Sequence, residues 1–327
     1  MKKALIMGIT GTFGSHVARA LAAQGWAIRA LMRDPAKAPE AARDYDLQRG
    51  DAGDIDSIRR AAADAEVIVY AVNPPYYAWN NTALPWLNNA VTVAEERGLT
   101  LIFPGNVYVH DPADGPVFDE QSPSRPITSK GRIRVAMEER LRLAANQGAR
   151  VILARAGDFI AADAKSAWLA ALLKKTKRGY TLHAPGPRDL KHTWAYAPDL
   201  AHAVAELIAR RAELTAFSAF HFGGYHLSFD EMAAAIQQAT GTHVNIKNFP
   251  WWIMRSVAPF SPFVRSLLEM RYLWNREICL DDGKLRRILG SALKHTDVAT
   301  ALRDAGFIAG AETTRDVILN PKRAANP

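Results

Sequence analysis

Apolar residues in this chain fall into short runs, and helically spaced stretches separate them. Residues 4–7 form an apolar run closed by Gly8, the pattern of a buried strand. Helical spacing follows over 14–23, and 27–32 form a second strand. A weaker third strand starts at Leu47, and a helix is expected over 54–63. Residues 66–72 read as a fourth strand, 83–97 as a helix and 99–103 as a fifth strand. A long helix over 130–146 leads to a sixth strand at 150–154. Strands alternating with helices imply right-handed crossovers and a parallel sheet covered on both faces. The predicted class is α/β, a Rossmann-type doubly wound parallel sheet.

Beyond Gly157 the rhythm loosens. Helices are expected over 166–174, 199–211 and 228–240, with a strand at 219–222. Ser228 and Glu231 form a capping box at the start of the 228–240 helix. Lys174, Lys175, Lys177 and Arg178 read as the solvated end of the 166–174 helix. Residues 250–274 are rich in Trp, Phe, Met and Arg, and Pro250, Pro259 and Pro262 make this a broken helix. Ordinary core packing is the expectation for its aromatic side chains. Short helices over 281–289 and 296–305 follow. No repeat, low-complexity block or Gly/Ser linker interrupts the chain. The expected division is therefore a dinucleotide-binding domain over 1–157 and a smaller C-terminal substrate lobe over 158–327, interleaved with the same sheet.

The turn after the first strand carries the most specific chemistry. Gly8, Gly11 and Gly14 are spaced Gly-x-x-Gly-x-x-Gly between a strand and a helix. In that context Gly8 permits the tight turn, Gly11 lets a pyrophosphate approach the backbone, and Gly14 brings the helix close to the sheet. The free N–H groups at the helix start, from Thr12, Phe13 and Gly14, attract phosphate charge. Thr10 and Thr12 add hydroxyls. The second strand ends in Arg33, about twenty residues past the glycines, where the residue that reads the adenosine ribose belongs. A guanidinium there suits the extra phosphate of NADP. NADP(H) is therefore expected over NAD(H). The bland alternative is an Arg33 that pairs with Asp34 or solvent.

Composition removes several other classes. With 49% hydrophobic and 23% charged residues over 327 positions, the chain suits an ordinary globular protein. No apolar run is long enough to span a bilayer. The opening resembles a signal peptide only until Gly8, Gly11, Gly14, His16 and Arg19 break it. Cys279 is the single cysteine, so no internal disulfide can form, and a cytoplasmic location is the expectation. The net charge is +8, but the basic residues are scattered and no nucleic-acid motif appears. Neither His-Glu-x-x-His nor paired-cysteine spacing occurs, so no metal site is expected. The expected partner is a small-molecule substrate, with homodimerisation left open.

With these residues in hand, the chain resembles the short-chain dehydrogenase/reductase superfamily, in its extended and atypical epimerase/dehydratase-like branch. Gly8 to Gly14 matches the phosphate loop of that family. Arg49-Gly50-Asp51, with Ala52 and then Asp54, resembles the segment whose aspartate holds the adenine. Ala71-Val72-Asn73 resembles the loop over the ribose, and Val107-Tyr108 matches the pair after the fifth strand. Arg155-Ala156-Gly157-Asp158 occupies the loop that meets the nicotinamide. Residues 192–201, Phe222-Gly223-Gly224 and the helix at 281–289 match later landmarks. The resemblance implies cofactor contacts from Ala156 and Gly157 as well.

It also implies a Tyr-x-x-x-Lys pair on the long helix and a Ser or Thr after the fifth strand. This sequence departs from that pattern: Pro104 stands at the Ser/Thr position, Lys130 replaces the tyrosine and Arg134 replaces the lysine. Two readings stay open. In one, the protein is an oxidoreductase acting on a small carbonyl or sugar-like substrate. Lys130 donates the proton with its pKa depressed by Arg134, and Asn106, Tyr108 or Tyr76 and Tyr77 orient the substrate. In the other, a non-catalytic redox sensor keeps the cofactor and has lost the chemistry.

Overall fold

The computed structural model describes residues 2–74, 79–164 and 167–309. β1 (Lys3–Met7) leads into α1 (Thr12–Ala23) and β2 (Ala27–Met32). The alternation continues through β3 (Asp46–Arg49), α2 (Ile55–Ala61), β4 (Val67–Tyr70), α3 (Ala83–Arg97) and β5 (Thr100–Gly105). A two-residue strand, β6 (Val117–Phe118), precedes α4 (Ser129–Asn146) and β7 (Arg150–Ala156). The lobe then opens with β8 (Asp158–Ile160), α5 (Trp168–Leu172), β9 (Leu173–Thr176), β10 (Gly179–Ala184), β11 (His192–Tyr196) and α6 (Ala197–Ala209). It continues with β12 (Phe217–Phe222), β13 (Tyr225–Leu227), α7 (Phe229–Thr240), β14 (Val244–Asn248), α8 (Trp251–Val257) and α9 (Pro262–Glu269). β15 (Cys279–Leu280), α10 (Gly283–Leu289) and α11 (Val298–Asp304) close the described chain.

The main sheet has seven parallel strands in the order β12-β7-β5-β4-β1-β2-β3. β1 lies inside it because its apolar residues are covered on both faces. Ala4 and Ile6 face a core built with α1 and α6, while Leu5 and Met7 face a second core built with α2, α3 and α4. The strand order reverses between β1 and β4, so a crevice opens at their carboxyl ends, where such sheets bind ligands. β12, from the second half of the chain, pairs with β7 over six residues and completes the sheet.

Two three-stranded sheets, β14-β10-β9 and β13-β11-β8, frame the remaining lobe. The capping box at Ser228 and Glu231 is present. The expected helix over 166–174 needs correction. Helix occupies only Trp168–Leu172, and the chain then turns into β9, which pairs antiparallel with β10. The basic cluster therefore sits on a hairpin and not at a helix end. Pro259 and Pro262 break the aromatic segment into α8, a 3-10 turn over Ala258–Phe260, α9 and a 3-10 turn over Met270–Trp274. Trp251 and Trp274 pack in the core as expected, whereas Trp252 and Phe260 are 71% and 88% exposed.

Candidate functional site

The turn from β1 into α1 opens a cleft of about 640 Å³ at the switch point. Gly8 has φ +94°, a left-handed conformation that glycine tolerates best. A Cβ on Gly8 would lie 2.5 Å from the Ala71 carbonyl oxygen, and one on Gly14 would lie 2.3 Å from the Gly8 oxygen. Packing within the protein therefore requires both glycines. Gly11 differs, since a Cβ there would meet only the Gly8 oxygen, at 3.4 Å. The protein itself leaves room at Gly11, and the opening belongs to the cleft. No side chain caps the first turn of α1. Its leading N–H groups thus stay available to an anion.

Gly8, Thr10, Gly11, Arg33, Asp51, Ala52, Ala71, Val72 and Asn73 all line this cleft. Thr12, Phe13 and Gly14 form the first turn of α1 behind it. The Phe13 side chain is buried in the core, so only its backbone can serve a ligand. Asp51 accepts a hydrogen bond from the Gly53 N–H at 2.7 Å, which fixes the loop after β3. Asn73 accepts one from the Trp79 indole at 2.9 Å. Arg33 is exposed at the rim. Asp34, the alternative partner for Arg33, accepts from the Ala36 N–H and lies 3.5 Å from the Lys37 ammonium. Among the described residues the Arg33 guanidinium forms no ion pair. Lys37 and Trp86 also line the cleft, and neither was singled out from the sequence. A glycine turn with available N–H groups and two cations on one cleft fit a dinucleotide.

The two cations of α4 go to different neighbours. The Lys130 side chain is 5% exposed, and its ammonium lies 2.8 Å from Glu269 Oε2 and donates to the Ser266 carbonyl at 3.0 Å. Desolvation at the Glu269 site favours the neutral acid, but Lys130 outweighs it and holds the carboxyl below its ordinary value. Lys130 thus pins α9 to the start of α4. Arg134 turns the other way, donating to the Pro104 carbonyl at 3.2 Å, with its guanidinium 4.7 Å from the Trp79 ring centre. Its Nε is buried and has no hydrogen-bond partner among the described residues. Asn106 accepts from the Tyr108 N–H at 3.1 Å and caps the turn after β5. Tyr76 and Tyr77 lie outside the described residues.

Ala156 and Gly157 stand at the end of β7 and do not line the cleft at the glycine turn. Gly157 borders a second, smaller cavity with Val107, Asp158, His192, Thr193, Leu273, Trp274 and Ile278. Asp158 is half-buried there, and desolvation pushes its carboxyl up to about 7. Burial also draws His192 down to about 4, and its Nε2 has no hydrogen-bond partner among the described residues. Asp158 pairs with Trp194 in the β8–β11 register. Side chains two apart on a strand share a face, so Asp158 and His192 lie on the same side of that sheet. The sequence placed Asp158 in the nicotinamide loop but gave it no chemistry; the signal was the Gly-Asp pair directly after a buried strand.

A buried network lies beneath this region. The Arg155 guanidinium donates to Glu138 at 2.8 Å and to His221 Nε2 at 3.1 Å, and it also donates to the Asn106 carbonyl. These bonds tie β7, α4, β12 and the loop after β5 together. Among the described residues no helix is long and apolar enough to cross a membrane.

The comparisons with known proteins agree with this architecture. The chain superposes on the structure of MoeE5 in complex with UDP-glucose and NAD with a TM-score of 0.71, at 15% identity, covering 97% of this chain and 100% of that one. The Bordetella bronchiseptica enzyme WbmH in complex with NAD+ gives 0.69 at 17% identity, over 98% and 99% of the two chains. UDP-glucose 4-epimerase from Brucella ovis in complex with NAD gives 0.68 at 17% identity, over 94% and 98%. At these identities the likeness is one of fold. No curated protein matches the chain in sequence. The sequence model of the NAD dependent epimerase/dehydratase family, however, matches residues 4–221. This chain therefore belongs to the NAD dependent epimerase/dehydratase family.

Proposed function

We propose that this protein is an NADP(H)-dependent oxidoreductase of the epimerase/dehydratase type, acting on a small carbonyl or sugar-like substrate without the usual Tyr-x-x-x-Lys pair. The observation that carries this reading is the cleft at the switch point, whose only glycine free of packing demands, Gly11, opens toward the ligand space. A dinucleotide bound there would supply hydride exchange at its nicotinamide. Gly8 to Gly14 would hold its phosphates, Asp51 and Ala52 its adenine, and Ala71 to Asn73 its ribose. Preference for NADP(H) rests on Arg33 and Lys37, two cations at the adenosine end that face no carboxylate demand stronger than Asp34. MoeE5 was solved with UDP-glucose, which makes nucleotide sugars the first substrates to try.

The test is a fluorescence titration with NADPH and NADH. NADPH is expected to bind more tightly, and Arg33→Ala to cost about 1–3 kcal/mol of NADPH affinity. Equal affinities that the substitution leaves unchanged overturn the cofactor assignment. The second reading, a non-catalytic redox sensor, is favoured by one observation: the Lys130 ammonium is engaged by Glu269, and Pro104 offers no hydroxyl. Turnover of the cofactor against nucleotide sugars and small carbonyls separates the two.

A further inference from the structure

We propose that Asp158 is the residue that exchanges a proton with the reacting oxygen of the substrate, at the open side of the cavity of about 20 Å³ that it shares with His192. This deepens the oxidoreductase reading and rests on it.

Placement is the first argument. Asp158 follows the end of β7 by two residues, and Val107 follows the end of β5 by two. Both therefore emerge at the carboxyl edge of the main sheet, on the same edge as the phosphate turn. Sheet order puts β5 two strands and β7 three strands from β1. At about 4.8 Å per strand, the cavity lies about 10–14 Å along that edge from the phosphate turn. A dinucleotide anchored at the glycines extends along this edge.

The second argument is availability. Among the described residues the Asp158 carboxyl makes no hydrogen bond or ion pair. Other aspartates near the sheet edge are committed. Asp51 holds the Gly53 N–H, Asp163 holds Ser15 and His16, and Asp199 holds Thr296. The carboxyl is also held in place by its backbone. A Cβ on Gly157 would lie 1.9 Å from the Thr193 carbonyl oxygen, so the residue before Asp158 is pressed against β11.

The third argument is the surroundings. Val107, Leu273, Trp274 and Ile278 give apolar walls, and among the described residues the only other titratable side chain on the cavity is His192, from β11. Arg155, three residues upstream, is turned away to Glu138 and His221. Desolvation acts on both facing groups. It raises Asp158 to about 7 and lowers His192 to about 4, so the acid holds a transferable proton near neutrality and the imidazole stays neutral. The groups on α4 are poorer candidates. Lys130 is paired with Glu269, and arginine does not release its proton under ordinary conditions.

The proton and electron bookkeeping closes with a nicotinamide dinucleotide as the redox partner. As the carbonyl carbon accepts a hydride from the reduced dinucleotide, its C=O π bond opens onto oxygen. The Asp158 O–H bond breaks and its proton goes to that oxygen. The resulting carboxylate recovers a proton from water. In the opposite direction the carboxylate takes the hydroxyl proton while the carbinol carbon gives its hydride to the oxidised dinucleotide.

The experiment compares wild-type protein with Asp158→Asn and Asp158→Glu. Each is titrated with NADPH, assayed against nucleotide sugars and small carbonyls, and followed by carbon-13 NMR of labelled aspartate carboxyls across the neutral pH range. Asp158→Asn is expected to keep NADPH affinity within about threefold and to lose about 100-fold or more in turnover. Asp158→Glu should restore part of that turnover. One carboxyl resonance titrating near neutrality in the wild type should be missing from Asp158→Asn. If the wild type turns over substrate and Asp158→Asn stays within about threefold of it, Asp158 is not the proton-exchanging group. An Asp158 carboxyl that titrates with the surface aspartates overturns the proposal as well. A wild type that binds NADPH but converts nothing sinks the oxidoreductase reading itself, and this proposal falls with it.

Discussion

Lys130 illustrates how a residue's chemistry depends on a partner far away in sequence. Its ammonium sits against Glu269, 139 positions along the chain, on a lysine side chain that is 5% exposed. Removing one member of a buried pair leaves the other charge in a poor solvent. Lys130→Met keeps most of the apolar stem and strands Glu269, which is 29% exposed. The expected loss is about 3 kcal/mol, at the lower end for such pairs because Glu269 keeps some water. Urea unfolding measures this directly, and an unchanged midpoint would show that the pair contributes little. The spacing of residues 130 and 134 made their shared helix legible in the sequence. It could not show that Glu269 takes Lys130, because that contact exists only after α9 docks. The glycine turn was legible because its constraints are local. The solitary carboxyl of Asp158 was not, because isolation is a property of everything packed around a group.

At the scale of elements, the approach of α1 to β1 is set by atoms and not by propensity. A methyl group at position 14 would lie 2.3 Å from the Gly8 oxygen, which is backbone and cannot rotate away. Gly14→Ala must push the helix start off the turn and misalign its free N–H groups. The expected result is a loss of about 1–3 kcal/mol in stability, together with a marked loss of NADPH binding. Calorimetry with and without NADPH reads both, and a variant that binds like the wild type would show that the turn yields easily. Strands β1, β2, β4 and β5 were legible because each is a short, mostly apolar run bounded by polar or glycine residues, whereas β3, with Leu47 as its one apolar residue, read only weakly. The stretch from Ala167 to Lys175 was not. Its Ala, Leu and Lys residues favour helix, but the chain turns into a hairpin with Gly179 at φ +122°, and pairing with β10 overrides propensity. The lobe strands β8 and β13 have only three residues each, too few to show a period.

For the whole molecule, buried histidines set the acid limit. Burial, with the Arg155 charge as a second cause, pushes His110 down to about 4 and His221 to about 3, while burial alone pushes His192 to about 4. Above the ordinary value of 6.5 these side chains are neutral in both folded and unfolded chains. As pH falls below it, the unfolded chain binds protons that the folded one refuses, so stability drops. Asp158 acts in the opposite sense, since its raised pKa gives stability that is complete below about 3.8 and lost as pH rises through about 7. His16 and His202 are lowered as well, so the histidines outweigh Asp158 and stability falls from about pH 6.5 toward pH 4. Urea midpoints should therefore be lower in mildly acidic buffer than in neutral buffer, and equal midpoints would contradict this burial. The position of β12 has a consequence for synthesis. β7 carries fully buried Val151, Ile152 and Leu153, and its outer edge is covered only by β12. The 60 residues from 157 to 216 separate the two strands. A ribosome adding about 5–20 residues per second needs about 3–12 s to make them. During that interval the nascent chain offers an open, apolar strand edge to any neighbour, and a chain truncated at residue 157 would offer it permanently.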